Sequence, residues 1–512
     1  MGPRDDINRG RLAPSAGKGE ASWFWAGVPV GLLFLLSTQL DTRWFFFLFG
    51  LSLMVLISLA FPNRKDFYLL CLVFSVPIGI NLHIDLTTST VYRSTHAFMV
   101  SVSHIPMAAL LIIHLFNRRT LGPKRDSIFS RVIPLVGLMA ACIGSLVFSE
   151  DRFFGLFDVY SLFTSAVLFV CVASVVEDLR DLRLSIMVLT LSVALQGVLA
   201  RAQEWTGSSL GLEFFGSRPV MESPVGLSSI SRASGTLLHP NSLALFFDLT
   251  LPLVFSLLFC PMRTSRKLSI LAGFLLGMAG LFATLSRGGM AATLVALAIV
   301  FFVQMGKRAG LFKTGVATAA AAILAAFLLF GSPTSVQERF LKHDYGTSQG
   351  RLMLMKVTAR LIRNLPLWGT GPNNFVSVAQ RYDNTPEQIV TFWNAPVHNL
   401  FLFIAGEIGL PGLVFFCLFL LGVMLSPAPA IRSPDPFLSS AGLGLFACFV
   451  AFVLHCQVDY CSWTHFVPLW FMAGLAVSVG RIAAGFRPPA AVPGKAGGRE
   501  TAGTPEYLHG PS

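Results

Sequence analysis

Four polar segments interrupt a strongly apolar chain and carry the residues whose types could do chemistry. They read SRASGTLLHPNSLA (Ser231 to Ala244), TLSRGGMAA (Thr284 to Ala292), GRLMLMKVTARLIRNLPLWGTGPNNF (Gly350 to Phe375) and HNLFLFIAGEIGLPG (His398 to Gly412). Arg287 falls between two apolar runs, where Gly288 and Gly289 would allow a tight reversal. An arginine at membrane depth is costly and takes a partner, either a structural carboxylate or an anionic ligand. In the first segment Asn241 can cap the following helix and Pro240 can set its start, which leaves Arg232 without an explanation. The third segment predicts a helix over Gly350 to Asn364, stopped by Pro366. On it Lys356, Arg360 and Arg363 share a face suited to solvent or phospholipid headgroups, whereas Arg351 points away from them. His398 opens an apolar segment as an interfacial residue, a cap or a titratable group. Glu407, nine residues on, lies ~13 Å further along the axis and half a turn round. The two cannot form an acid–base pair, and Glu407 is expected to face the bundle interior and bond a neighbouring helix.

The elements that must position these residues are membrane helices. Of 512 residues, 54% are hydrophobic and 12% charged, and the mean hydropathy is +0.67. No ordinary soluble protein has that balance. Apolar runs recur from Trp23 to about Gly480 without the period-two alternation of barrel strands. The expected fold is all-α, a polytopic transmembrane bundle of about 12–14 spans by the length criterion. Lys and Arg collect in alternate short connections, among them Arg64, Lys65, Arg118, Arg119, Arg180, Arg183, Arg263, Arg266 and Lys267. That bias puts both termini in the cytoplasm. It also accounts for the net charge of +12, so no nucleic-acid partner is implied. The chain divides into a cytoplasmic tail (1–22), N-terminal spans (23–202), a core (203–425), C-terminal spans (426–480) and a disordered cytoplasmic tail (481–512). Two long outward loops, 203–241 and 331–398, are where binding or catalysis is expected, and the second should carry short helices.

No outer loop offers a carboxylate cluster for Mg²⁺. The HCQVDYCSWTH segment, with His455, Cys456, Asp459, Cys461 and His465, fits no common zinc spacing. Eight cysteines lie in or beside apolar runs and read as small buried hydrophobes. Cys456 and Cys461 alone fall where an oxidising compartment could join them.

Taken together, the four motifs resemble those of the bacterial O-antigen ligase and O-antigen polymerase superfamily, integral-membrane glycosyltransferases that use undecaprenyl-diphosphate-linked glycans. The last motif is similar to the ligase signature, His-Asn, nine residues, then Gly-x-x-Gly, here His398, Asn399, Gly409 and Gly412. The third matches at Gly350, Arg351, Pro366, Gly369, Gly371, Asn373 or Asn374, and Phe375. Ser286, Arg287 and Gly288 match a Ser-Arg-Gly element, and Gly235, Pro240 and Asn241 a G…PN element. One departure is that Met353, Leu354 and Met355 stand where an aromatic residue is common after the loop arginine. The resemblance implies transfer of a glycan from undecaprenyl diphosphate to an acceptor hydroxyl at the periplasmic face of the inner membrane, without metal, nucleotide or cofactor. It implies ligation to lipid A core or polymerisation onto another glycan, with membrane lipids around the site. Arg287 and Arg351 would stabilise the diphosphate and His398 would be the general base, these three being the expected catalytic residues. Arg232, Asn241, Asn373 and Asn399 would bind substrate.

Two rivals come from other classes. A lipid-linked oligosaccharide transporter would place ionisable residues and broken helices near the bilayer midplane, whereas these cationic motifs gather at one face. A membrane scaffold binding anionic lipid needs only Lys356, Arg360 and Arg363.

Overall fold

The structure is a computed structural model of the full chain, and it describes residues 42–79, 81–85, 92–121, 129–212, 232–306 and 347–486, apart from Gly31. The N-terminal tail, residues 487–512, the apolar runs at 23–41 (Gly31 aside) and 311–330, and parts of both long loops lie outside the described residues, and α-helix continues to Gly485, into the segment expected to be a disordered tail.

In chain order the elements are α1 (Thr42–Ala60), α2 (Arg64–Ser75), β1 (Asn81–Asp85), β2 (Ala97–Ser101), α3 (His104–Leu121), α4 (Phe129–Val147), α5 (Arg152–Val175) and α6 (Leu179–Thr206). Then come α7 (Pro240–Leu257), α8 (Thr264–Ala283), α9 (Arg287–Gly306), α10 (Thr347–Asn364), α11 (Phe375–Ala379), α12 (Ile389–Trp393), α13 (Leu400–Leu425), α14 (Ala428–Ile431), α15 (Pro436–His455) and α16 (Val467–Gly485). Among the described residues, eight helices are long and apolar enough to cross a membrane, and three shorter apolar helices accompany them. The fold is the all-α polytopic bundle that the sequence predicts. One addition is a short antiparallel hairpin in which Asn81 pairs with Ser101 and Asp85 with Ala97.

Helix starts follow from polar side chains at the membrane edges. Asp151, Asp178, Asn399 and Asp435 each accept a backbone N–H two or three residues into the next helix, a contribution of about 1 kcal/mol apiece. Within the bundle, α7 is almost wholly buried and packs against α9 and α15. Helices α6 and α8 approach closely because glycines face each other: a methyl built on Gly280 would stand 2.6 Å from the Gly197 Cα. With no hydrophobic drive between helices in lipid, such close backbone contact supplies the dispersion that holds them together. The outward faces remain apolar, as at Leu268, Leu275 and Leu276 of α8.

Charge sorts by end. Lys65 pairs with Asp181 at 2.7 Å and Arg180 with Asp66 at 2.5 Å, where α2 and α6 begin. Arg263, Arg266 and Lys267 stand where α8 begins. Helix direction then puts the starts of α7, α9 and α13, and the end of α15, at the opposite end of the bundle. All four motifs meet there.

Helix α13 is broken inside its apolar run. Ile408 (φ −117°, ψ 18°) and Gly409 (φ 73°, ψ 178°) leave helical geometry, and the outer-loop segment docks into the break. The N–H groups of Thr370 and Gly371 donate to the carbonyls of Gly406 and Glu407, both at 2.9 Å, and Leu410 N–H donates to the Pro366 carbonyl at 2.8 Å. Gly369 (φ +64°) and Gly371 (φ +92°) supply the left-handed turns this needs. Glu407 is buried, and its carboxylate receives the backbone N–H groups of Asn373 and Phe375. It is bonded to the docked loop rather than to a neighbouring long helix.

Candidate active site

A small cavity of about 40 Å³ opens at the motif end, lined by Arg232, Asn241, Ser286, Arg287, Arg351, His455 and Asp459 together with backbone and apolar atoms. Each comes from a different local device. His239, not Asn241, caps α7, its Nδ1 accepting the Asn241 N–H at 3.1 Å. Pro240 takes the first turn as expected, and the Asn241 amide is freed to face the cavity. There its Oδ1 accepts from Arg232 Nη2 at 2.7 Å, while Arg232 Nε donates to the Thr284 carbonyl at 3.0 Å. Those two bonds hold the Arg232 guanidinium beside the start of α9.

Arg287 is the first residue of α9. The reversal before it is made by Leu285 (φ +51°), which corrects the role expected of Gly288 and Gly289. Both glycines are helical and lie against an imidazole: a methyl on Gly288 would come within 2.9 Å of His455 Cδ2, and one on Gly289 within 3.1 Å of His455 Cε1. Arg351 reaches the cavity from α10, one Nη1 hydrogen bond going to the Val458 carbonyl at 3.1 Å, and its Nε is buried without a hydrogen-bond partner. Arg360, on the other face, is taken up by the Tyr382 carbonyl and Asn384.

His398 stands beside this cavity rather than in its wall. Its ring is edged by Trp393 at 5.8 Å and Tyr460 at 5.4 Å between centroids. Burial pushes its pKa below the ordinary imidazole value; the Asp459 carboxylate opposes that shift, the Arg351 guanidinium adds to it, and the Pro396 carbonyl opposes it. Nδ1 makes no hydrogen bond of ordinary geometry. Asn399 caps α13 through Leu402 N–H at 3.0 Å and donates to the Gln457 carbonyl at 2.9 Å.

Asn373 does not join the cavity. Its Nδ2 donates to the Thr95 carbonyl at 2.7 Å and the Phe154 carbonyl at 3.1 Å, and its Oδ1 accepts Ser94 N–H at 2.7 Å. A buried amide with both ends committed to the hairpin and α5 has nothing left for a substrate, so the expected binding role is replaced by an architectural one. Sequence reasoning also weighed His455 and Asp459 only within a candidate zinc set and passed over Asp248. Their signal was present: Asp248 is an acidic residue in the middle of a membrane helix, which almost always marks a polar partner, and His455 ends another such helix. Among the described residues no cluster of His, Cys, Asp and Glu is disposed to hold a metal, and the cysteines, Cys456 and Cys461 included, are free thiols.

The structure is thus that of a multi-pass membrane protein in which several guanidinium groups converge at one end of the bundle, with an imidazole alongside. Residues 272–417 match the family model described as O-antigen ligase, a match that supports the O-antigen ligase and polymerase superfamily. That matched stretch contains Arg287, Arg351 and His398. That match supports a membrane enzyme of the glycosyltransferase type, with lipid-linked glycans as the substrate class. No curated relative matches the chain.

Proposed function

We propose that the protein transfers a glycan from undecaprenyl diphosphate to an acceptor hydroxyl at the periplasmic face of the bacterial inner membrane, the acceptor being a lipid A core sugar. The observation that carries this reading is the meeting of Arg232, Arg287 and Arg351 in one cavity with His398 electrostatically linked to it through Arg351 and Asp459. Departure of the glycan from the diphosphate leaves an electron pair and a new negative charge on the phosphate oxygen. Arginine suits that charge because its planar fork bonds phosphate oxygens in pairs and stays protonated. The buried, unpartnered Nε of Arg351 is a donor waiting for such an oxygen. As the acceptor oxygen attacks the anomeric carbon, its proton passes to the neutral imidazole of His398, which burial keeps deprotonated at neutral pH. Three fixed cations already supply the charge that a divalent ion would bring, so turnover is expected without metal.

The test is reconstitution of the purified protein in liposomes with an undecaprenyl-diphosphate glycan and lipid A core, chelator present and nucleotide absent. Product is expected, and Arg287→Ala or Arg351→Ala should lower kcat about 10²–10³-fold. Product undiminished in His398→Ala would remove the base, and movement of donor across the bilayer without bond formation would favour a carrier. A polymerase would use the same cavity, but a second lipid-linked glycan would then replace lipid A core as acceptor.

A further inference from the structure

The end of α15 holds a polar cluster that the transfer chemistry above does not use. His455 Nδ1 lies 2.5 Å from Asp248 Oδ2 in the middle of α7, and Asp248 Oδ1 accepts the Thr293 hydroxyl of α9 at 2.5 Å. Both residues are completely enclosed, His455 at 1% and Asp248 at 0% exposure. A carboxylate and an imidazole at that depth carry a desolvation cost that ordinary packing would not incur. What the pair holds explains its presence. His455 Nε2 stands 3.3 Å from Ser286 Oγ, and Ser286 Oγ in turn accepts the Gly289 N–H at 3.4 Å, so the imidazole meets the first turn of α9 through the residue beside Arg287. The backbone of Gly288 and Gly289 lies directly on the ring.

The turn that leaves His455 reaches the remaining parts of the site. The Val458 N–H donates to the His455 carbonyl at 3.0 Å, and the Val458 carbonyl receives Arg351. The Cys456 and Asp459 carbonyls both take the Leu400 N–H, and the Gln457 carbonyl takes the Asn399 amide, next to His398. Asp459 Oδ2 approaches His455 Nε2 at 3.8 Å. Arg351, the Ser286 beside Arg287, and the Asn399 and Leu400 that follow His398 therefore register on one five-residue turn, whose first residue is pinned through Asp248 to the almost wholly buried α7.

We propose that His455, oriented by Asp248, is a positioning residue of the polyprenyl-diphosphate site, fixing the first turn of α9 so that Arg287 is held ready for the diphosphate. The inference rests on the proposed function and adds two residues to it, both outside the stretch that matches the family. His455→Ala alone would strand an unpaired buried carboxylate and could simply unfold the protein. The informative variant is Asp248→Asn with His455→Gln, which keeps an uncharged hydrogen bond but gives up the rigid imidazole.

Binding of undecaprenyl diphosphate to the full-length protein in nanodiscs is measured for wild type, for this double variant, for Arg287→Ala and for the triple variant, with the thermal midpoint recorded for each. The double variant should weaken binding about tenfold in the wild-type background and less than about twofold when Arg287 is already absent, since coupled groups are non-additive. Equal weakening in both backgrounds, or a loss that follows the thermal midpoint alone, would overturn the proposal. Wild-type protein that fails to bind the diphosphate would instead overturn the transfer reading and this inference with it, a result distinct from the first two.

Discussion

The histidine beside the cavity is where the chemistry is most exposed to measurement. Its folded-state pKa is depressed by burial, and of the charges around it Arg351 lowers the value while Asp459 raises it. The neutral base is therefore present above a pKa that lies under the free-imidazole value of about 6.5, and activity should fall only as pH drops through that lower value. A profile of kcat/KM against pH is expected to be flat from neutral to mildly alkaline pH with an acid limb below about 6.5. Arg351→Gln removes a repelling charge and should move the limb upward, at reduced rate, whereas Asp459→Asn removes an attracting one and should move it down. Limbs that stay in place in both variants would mean that another group titrates. At this scale the sequence disclosed much: Arg232, Asn241, Arg287 and Arg351 all reach the cavity from positions spread over more than 100 residues of chain. It misjudged Asn373 because an Asn in a Gly-Pro-Asn-Asn turn reads the same whether its amide faces ligand or a hairpin folded 278 residues earlier in the chain. It missed His455 because the HCQVDYCSWTH segment was weighed as a metal site and as a possible Cys456–Cys461 disulfide, and the residue that gives this histidine its meaning, Asp248, sits 207 residues away.

Among the elements, two motifs that look separate in the chain are halves of one joint. The PLWGTGPNNF loop fills the break in α13, and the glycines of both serve its geometry. A methyl on Gly409 (φ +73°) would lie 2.1 Å from the Leu367 carbonyl oxygen, and one on Gly369 2.5 Å from that of Glu407. Gly409→Ala should cost about 3 kcal/mol from strain and steric overlap combined, seen as a lowered thermal midpoint in detergent. Gly422→Ala is the matched control: nothing lies within 4 Å of the added methyl, so the midpoint should hold or rise slightly. The α6–α8 contact makes a parallel case, and Gly280→Leu is expected to push the helices apart against Gly197 and lower stability by about 1–3 kcal/mol. Helix propensity could not announce the break, since the run from Leu400 to Leu425 is apolar but for Glu407 and its Gly-Leu-Pro-Gly could equally end a span as interrupt one.

For the whole molecule, the described arginines and lysines that pair or crowd at the starts of α2, α6 and α8 face away from the cavity, in keeping with the cytoplasmic bias of such residues. The proposed orientation predicts that a cysteine replacing exposed Glu387, on the cavity side, reacts with a membrane-impermeant maleimide in cells whose outer membrane alone is permeabilised. One replacing exposed Arg263 should react only after the inner membrane is breached. The reverse pattern would turn the cavity toward the cytosol and end the case for periplasmic transfer.

The docking of loop into broken helix also bears on how specificity could be exchanged between related enzymes. Because residues 366–371 and 406–410 complete each other's hydrogen bonds, grafting either alone from a relative would leave carbonyls and amides unmatched inside the bilayer. The smallest transplantable cassette is the continuous stretch from Gly350 to Gly412, which would carry Arg351 and His398 together into a new host.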